Sequence, residues 1–104
     1  MHRLCFTFDI YEGAEAEYKK RHDEIWPELV VAIKEAGFSN YSLFRRGTQI
    51  VAYAEVEPNL DEAFASLGES ELNARWSTWF EELIVNLTDS QGELMTFNEV
   101  WHLN

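Results

Sequence analysis

Residues 3–33 read RLCFTFDIYEGAEAEYKKRHDEIWPELVVAI, and the period of their apolar positions changes once. Over residues 3–10 the period is two. Leu4, Phe6, Phe8 and Ile10 share one side of a strand, and Cys5, Thr7 and Asp9 share the other. Glu12 and Gly13 break that alternation. From Ala14 onward, Tyr18, His22, Ile25, Trp26, Leu29, Val30 and Ile33 recur at spacings of three and four, which is one stripe of a helix. Glu15, Lys19, Lys20, Glu24 and Lys34 fall mostly off the stripe. Pro27 removes a helical donor and crowds the turn before it, so a kink or break is expected at Trp26–Pro27. Gly37 follows Ala36 and suits a left-handed helix cap. The stretch is therefore a strand followed by an interrupted helix.

Beyond it, residues 38–45 form a second strand, with Tyr41 and Leu43 on one face and Ser42 and Phe44 on the other. Arg46-Gly47-Thr48 reads as a hairpin turn into a third strand, residues 49–56. Both faces of that third strand are fairly apolar, so both are expected to be covered. Leu60 to Leu67 predicts a short helix stopped at Gly68. Ser70 can cap the next helix, whose stripe is Leu72, Trp76, Trp79, Phe80, Leu83, Ile84 and Leu87. Residues 88–93 are a polar loop, and residues 94–103 alternate as a last strand.

The resulting order, β-α-β-β-α-β, is the ferredoxin-like α+β pattern: a four-stranded antiparallel sheet with helices on one face. No linker, repeat or low-complexity tract divides residues 1–104, which read as a single domain. The sheet face away from the helices is left bare, although its residues are partly apolar. A second copy packed face to face would cover it, so a homodimer with a barrel-like core is expected.

Composition narrows the function. Eight Lys and Arg stand against nineteen Asp and Glu, giving a net charge of −11. Such a chain is repelled by nucleic acid and by anionic membrane surfaces, and is indifferent to a neutral small molecule. Fifteen aromatic residues (4 Trp, 4 Tyr, 7 Phe) exceed what so small a core obviously needs. The single cysteine, Cys5, permits no intrachain disulfide. With no secretory signal and no apolar run of membrane-spanning length, a cytoplasmic protein is expected.

Tyr18 and His22 lie four apart on one helical face, so their side chains are neighbours. A histidine beside a phenol can exchange protons near neutral pH. The spacing alone fits a packed structural histidine equally well, and more often. Trp26, Trp76 and Trp79 could be core or could stack on a sugar. His2 and His102 have no partner at metal-ligand spacing, and no nucleotide cradle or nucleophile elbow occurs, so neither metal nor other cofactor is expected. Paired acids such as Asp61-Glu62 and Glu81-Glu82 point apart on their helices and read as solvated faces.

The run Tyr18-Lys19-Lys20-Arg21-His22-Asp23-Glu24-Ile25-Trp26-Pro27-Glu28-Leu29 resembles the signature of the L-rhamnose mutarotase family. Asn40-Tyr41, Arg75-Trp76 and the ending Asn98-Glu99-Val100-Trp101-His102-Leu103 resemble their counterparts there, so the likeness spans the chain. The resemblance implies a dimeric α+β barrel that interconverts the α and β anomers of a monosaccharide, L-rhamnose or a related 6-deoxy sugar. It implies His22 as proton donor, with Tyr18, Tyr41, Trp76 and Ser77 touching the substrate. The family often carries a second Trp where this chain has Ser77, which bears on the sugar more than on the reaction. Mutarotation opens and recloses a hemiacetal by proton transfer and needs no redox centre, metal or covalent intermediate. The rival readings are another enzyme on the same scaffold, such as a haem-handling or monooxygenase-like protein, and a non-catalytic sugar-binding module.

Overall fold

The computed structural model describes all residues 1–104. The elements are β1 (His2–Ile10), α1 (Glu15–Asp23), α2 (Pro27–Glu35), β2 (Phe38–Arg46), β3 (Gln49–Val56), α3 (Leu60–Gly68), α4 (Glu71–Phe80), β4 (Ile84–Asn86) and β5 (Met95–Thr96). The sheet is antiparallel in the order β2-β3-β1-β4, the ferredoxin-like order.

Alternation decides which side of each strand is buried. Leu4, Phe6, Phe8 and Ile10 of β1 and Ile50, Ala52, Ala54 and Val56 of β3 are buried beneath the helices. Register sets Phe8 opposite Ile50 and Leu4 opposite Ala54, so these side chains form one continuous floor. Ala52 and Ala54 leave height above that floor, where the rings of Phe6 and Phe8 rise into the space between sheet and helices.

Proline divides the long helical stripe as its chemistry requires. α1 stops at Asp23 and α2 restarts with Pro27 in its first turn, where a missing N–H costs nothing. Gly37 then turns the chain with φ +111°, and a Cβ there would lie 1.9 Å from the Glu57 carbonyl oxygen. Only glycine fits so close an approach. Asn59 and Ser70 cap α3 and α4, their side-chain oxygens accepting from the Glu62 and Asn73 backbone N–H at 2.9 and 3.2 Å.

The last quarter of the chain departs from the sequence reading. The apolar stripe of α4 predicts helix through Leu87, but the helix ends at Phe80 and Ile84–Asn86 joins the sheet. The open edge of β1 explains the switch: Ile84 pairs with Ile10 and Asn86 with Asp9. The predicted final strand, residues 94–103, is likewise reduced to Met95–Thr96, paired with Thr7 and Phe6. β4 and β5 thus share one strand position, separated by the loop 87–94. After Phe97, whose N–H donates to the Cys5 carbonyl, the tail forms no ladder. Val100, Trp101 and Leu103 stand in solvent. No helix is long and apolar enough to cross a membrane.

Candidate functional site

α1 lies over the floor with Tyr18 turned inward. The Tyr18 ring meets Phe8 edge-on at 6.3 Å and Phe80 of α4 at 5.6 Å. One turn later His22 packs beside it, ring centroids 4.6 Å apart. α4 closes the other side, with Phe80 at 4.9 Å from the imidazole and Trp76 at 5.5 Å. The spacing of four that pairs Tyr18 with His22 also pairs Trp76 with Phe80, so two helical stripes interlock around one imidazole.

The imidazole has one nitrogen committed. Nδ1 lies 2.9 Å from the Tyr18 carbonyl oxygen, which can only accept, so Nδ1 carries the hydrogen. The neutral ring therefore presents Nε2 as its free acceptor, and His22 is the only imidazole lining the cavity beside it. Burial disfavours the charged form and holds the His22 pKa below the usual 6.5; the Tyr18 carbonyl and Asp23 oppose this more weakly. His22 is accordingly neutral at pH 7.

The cavity measures about 1130 Å³ and opens between the helices and β2. Tyr41 enters it through a bulge. Two residues of β2, Asn40 and Tyr41, stand against one of β3, and Asn40 takes φ +46°. The Asn40 side chain is anchored by donating to Glu55 at 2.7 Å. Tyr41 keeps one flank exposed, while burial of its hydroxyl raises the phenol's pKa. Burial raises that of Tyr18 as well, and the charge of an ionised Tyr41 would add to it, which places the two phenols within electrostatic reach. Both remain protonated donors at any working pH. Trp76 and Ser77 complete this part of the wall from α4.

The five residues that the resemblance implies, Tyr18, His22, Tyr41, Trp76 and Ser77, line one cavity, whereas Trp26 and Trp79, the other two rings offered for stacking, do not. Sequence reasoning missed Phe8 and Phe80, which wall it. It also missed Arg21, whose charge reads as surface. The Arg21 side chain is only 9% exposed. Its Nε donates to Glu17 at 2.7 Å, one terminal nitrogen donates to the Trp79 carbonyl at 2.7 Å, and the other binds Glu82. The guanidinium lies 4.5 Å from the centre of the Trp79 ring, and Trp79 stacks on Trp26 at 5.7 Å. Arg21 thus fastens α1 to the end of α4, next to the imidazole.

A family model described as L-rhamnose mutarotase matches residues 3–103. The chain is similar to the L-rhamnose mutarotase of Oceanobacillus iheyensis, 31% identical over 106 aligned positions that cover all of both chains. It is similar to that of Listeria monocytogenes, 33% identical with 99% of each chain covered. Among solved structures, the fold matches an L-rhamnose mutarotase from Formosa agariphila with a TM-score of 0.81 at 24% identity over the whole of both chains. It matches the tetracenomycin F2 cyclase of Streptomyces glaucescens with a TM-score of 0.62 at 16% identity, covering 100% of this chain and 98% of that one.

Proposed function

Since the chain belongs to the L-rhamnose mutarotase family, we infer that it is an isomerase interconverting the α and β anomers of L-rhamnose or a related 6-deoxy sugar, with His22 moving the proton. The observation that carries the role of His22 is its hydrogen bonding. With Nδ1 held by the Tyr18 carbonyl, only Nε2 can exchange a proton with a ligand in the cavity.

One nitrogen suffices for this reaction. The anomeric hydroxyl and the ring oxygen are both bonded to the anomeric carbon, so a group that reaches one is close to the other. Neutral Nε2 takes the anomeric proton, and the resulting imidazolium donates it to the ring oxygen as the carbon–oxygen bond breaks. The open aldehyde turns about its first carbon–carbon bond, and the transfers reverse on closure. The Tyr18 and Tyr41 phenols, kept protonated by burial, donate to sugar oxygens without competing as bases. Trp76 offers an aromatic face to the apolar side of the ring, and Ser77 a hydroxyl. General acid–base transfer of this kind supplies roughly 10²–10⁴-fold.

His22→Gln keeps a side-chain donor for the Tyr18 carbonyl and removes the exchangeable nitrogen. Anomer-exchange NMR on L-rhamnose should show the wild type accelerating exchange and the variant losing most of that 10²–10⁴-fold. Wild-type exchange rates in the variant would remove His22 from the chemistry. Sugar binding without faster exchange in the wild type would make the protein a binding module.

The outer face of the sheet supports a homodimer. Phe44 and Phe97 are 60% and 52% exposed there, beside half-buried Cys5, Val51 and Tyr53. So much aromatic surface on one sheet face fits a second copy better than water. The net charge of −11 argues against nucleic-acid and anionic membrane partners. The unpaired Cys5 supports a cytoplasmic location.

A further inference from the structure

The cavity is longer than the site around His22 requires. Its floor runs from Phe8, under Tyr18, to Phe38, which pairs through Val56 with the row of His2. Those rows are six residue steps apart along β1, about 20 Å at the rise of a strand. Trp26, the cap of α2, packs on Trp76 near His22; Lys34, two turns into α2, and Asn73, one turn before Trp76, also line the cavity. The second half of α3 closes the Phe38 end with Phe64 and Gly68.

We propose that this far end is a subsite for a second sugar ring, and that the protein also accepts a disaccharide by its reducing end. Two observations carry this. The volume of about 1130 Å³ exceeds the roughly 300–1,000 Å³ of pockets that enclose drug-sized ligands, and a single pyranose is smaller than those ligands. Phe64 is 37% exposed, and its ring lies 5.8 Å from Phe38, edge to face, which leaves an aromatic surface open to the cavity. Gly68 is exposed at the rim of the cavity, and a Cβ there would meet nothing within 4 Å, so a larger side chain can be placed at that rim. Lys34 and Asn73 can hydrogen-bond the hydroxyls of a ring stacked on Phe64.

Chemistry fixes the orientation. The second ring is an acetal through its own anomeric carbon and cannot open. The ring with the free anomeric hydroxyl must therefore sit at His22. A second ring linked to a hydroxyl remote from that carbon then extends toward Phe64.

The proposal rests on the mutarotase reading, and the test separates the two. Anomer exchange is measured by NMR on L-rhamnose and on a disaccharide with L-rhamnose at its reducing end. The wild type should accelerate both. Gly68→Leu, which fills the open space at the end of α3, and Phe64→Ala, which removes the aromatic face, should each lower the disaccharide-to-monosaccharide ratio of kcat/KM about tenfold, the loss expected for one aromatic contact. Acceleration of L-rhamnose without the disaccharide, or an unchanged ratio in both variants, overturns the subsite and leaves the mutarotase reading standing. Acceleration of neither sugar overturns both.

Discussion

The inner and outer faces of the sheet are built by alternate residues of the same strands, yet they differ in kind. On β1, Leu4, Phe6, Phe8 and Ile10 are closed in by helices, while Cys5, Thr7 and Asp9 between them are half-buried or exposed. The inner face has its own cover, and the space left under that cover holds the imidazole, the phenols and Trp76. The outer face has no cover within the chain and carries Phe44 and Phe97 instead. A period of two thus separates the face of the proposed chemistry from the face of the proposed association, and each can be altered while the other is kept.

The largest effect tests that separation directly. Phe8 is 5% exposed beneath Tyr18, so Phe8→Ala should cost about 3–5 kcal/mol in urea unfolding, a large share of the roughly 5–15 kcal/mol that holds such a domain. Phe44 lies two strands away on the other face at 60% exposure. Phe44→Asp should leave the far-ultraviolet spectrum intact and halve the mass measured by light scattering. If Phe8→Ala is mild, the inner face is not the core. If Phe44→Asp remains a dimer, the outer face is not the interface.

How much of this was readable in the sequence follows the same division. β1, the break at Pro27 and the β2–β3 hairpin were legible because each is a local signal: alternation, a missing donor, a glycine turn. Tyr18 and His22 were legible as a pair because helical spacing alone brings them together. By residue pattern alone Tyr41 was not, because its place in the cavity depends on a bulge at Asn40 that no local pattern announces; only the family resemblance named it. Residues 84–86 continue a helical period but answer to the free edge of β1, a long-range fact. The tail alternates like a strand, and alternation cannot tell whether a strand has a partner within its own chain.

A smaller effect contrasts two arginines. Arg21 ties α1 to the end of α4 from a nearly closed position, whereas Arg3, on the outer face, meets Glu99 at 3.1 Å with 29% of its side chain exposed. Arg21→Met leaves the Trp79 carbonyl without its donor and loosens the helix that carries His22. It should lower the urea midpoint more than Arg3→Met does, and should lower kcat with it, because Phe80 and Trp76 lose their fixed place beside the imidazole. Equal midpoints would mean that the inner guanidinium is no more than a surface charge.

The smallest effect separates the faces by pH. Burial depresses the pKa of His22, so the unfolded chain binds a proton near 6.5 that the folded chain declines. The stability tied to this group is complete above 6.5 and is lost as pH falls from there to the folded value. Glu55, on the outer face, is lowered from 4.5, first by the Asn40 side chain and then by Tyr53. Its contribution is complete above 4.5 and is lost only as pH falls through its folded value. Unfolding measured against pH should therefore weaken in two steps, the upper one belonging to the inner face. His22→Gln should flatten the upper step and leave the lower one. Activity, after subtraction of the buffer's own exchange rate, should fall within the upper step, because protonated Nε2 cannot accept the anomeric proton. Activity that rises as the ring is protonated would mean that the imidazolium opens the cycle, and that the anomeric proton leaves to another group.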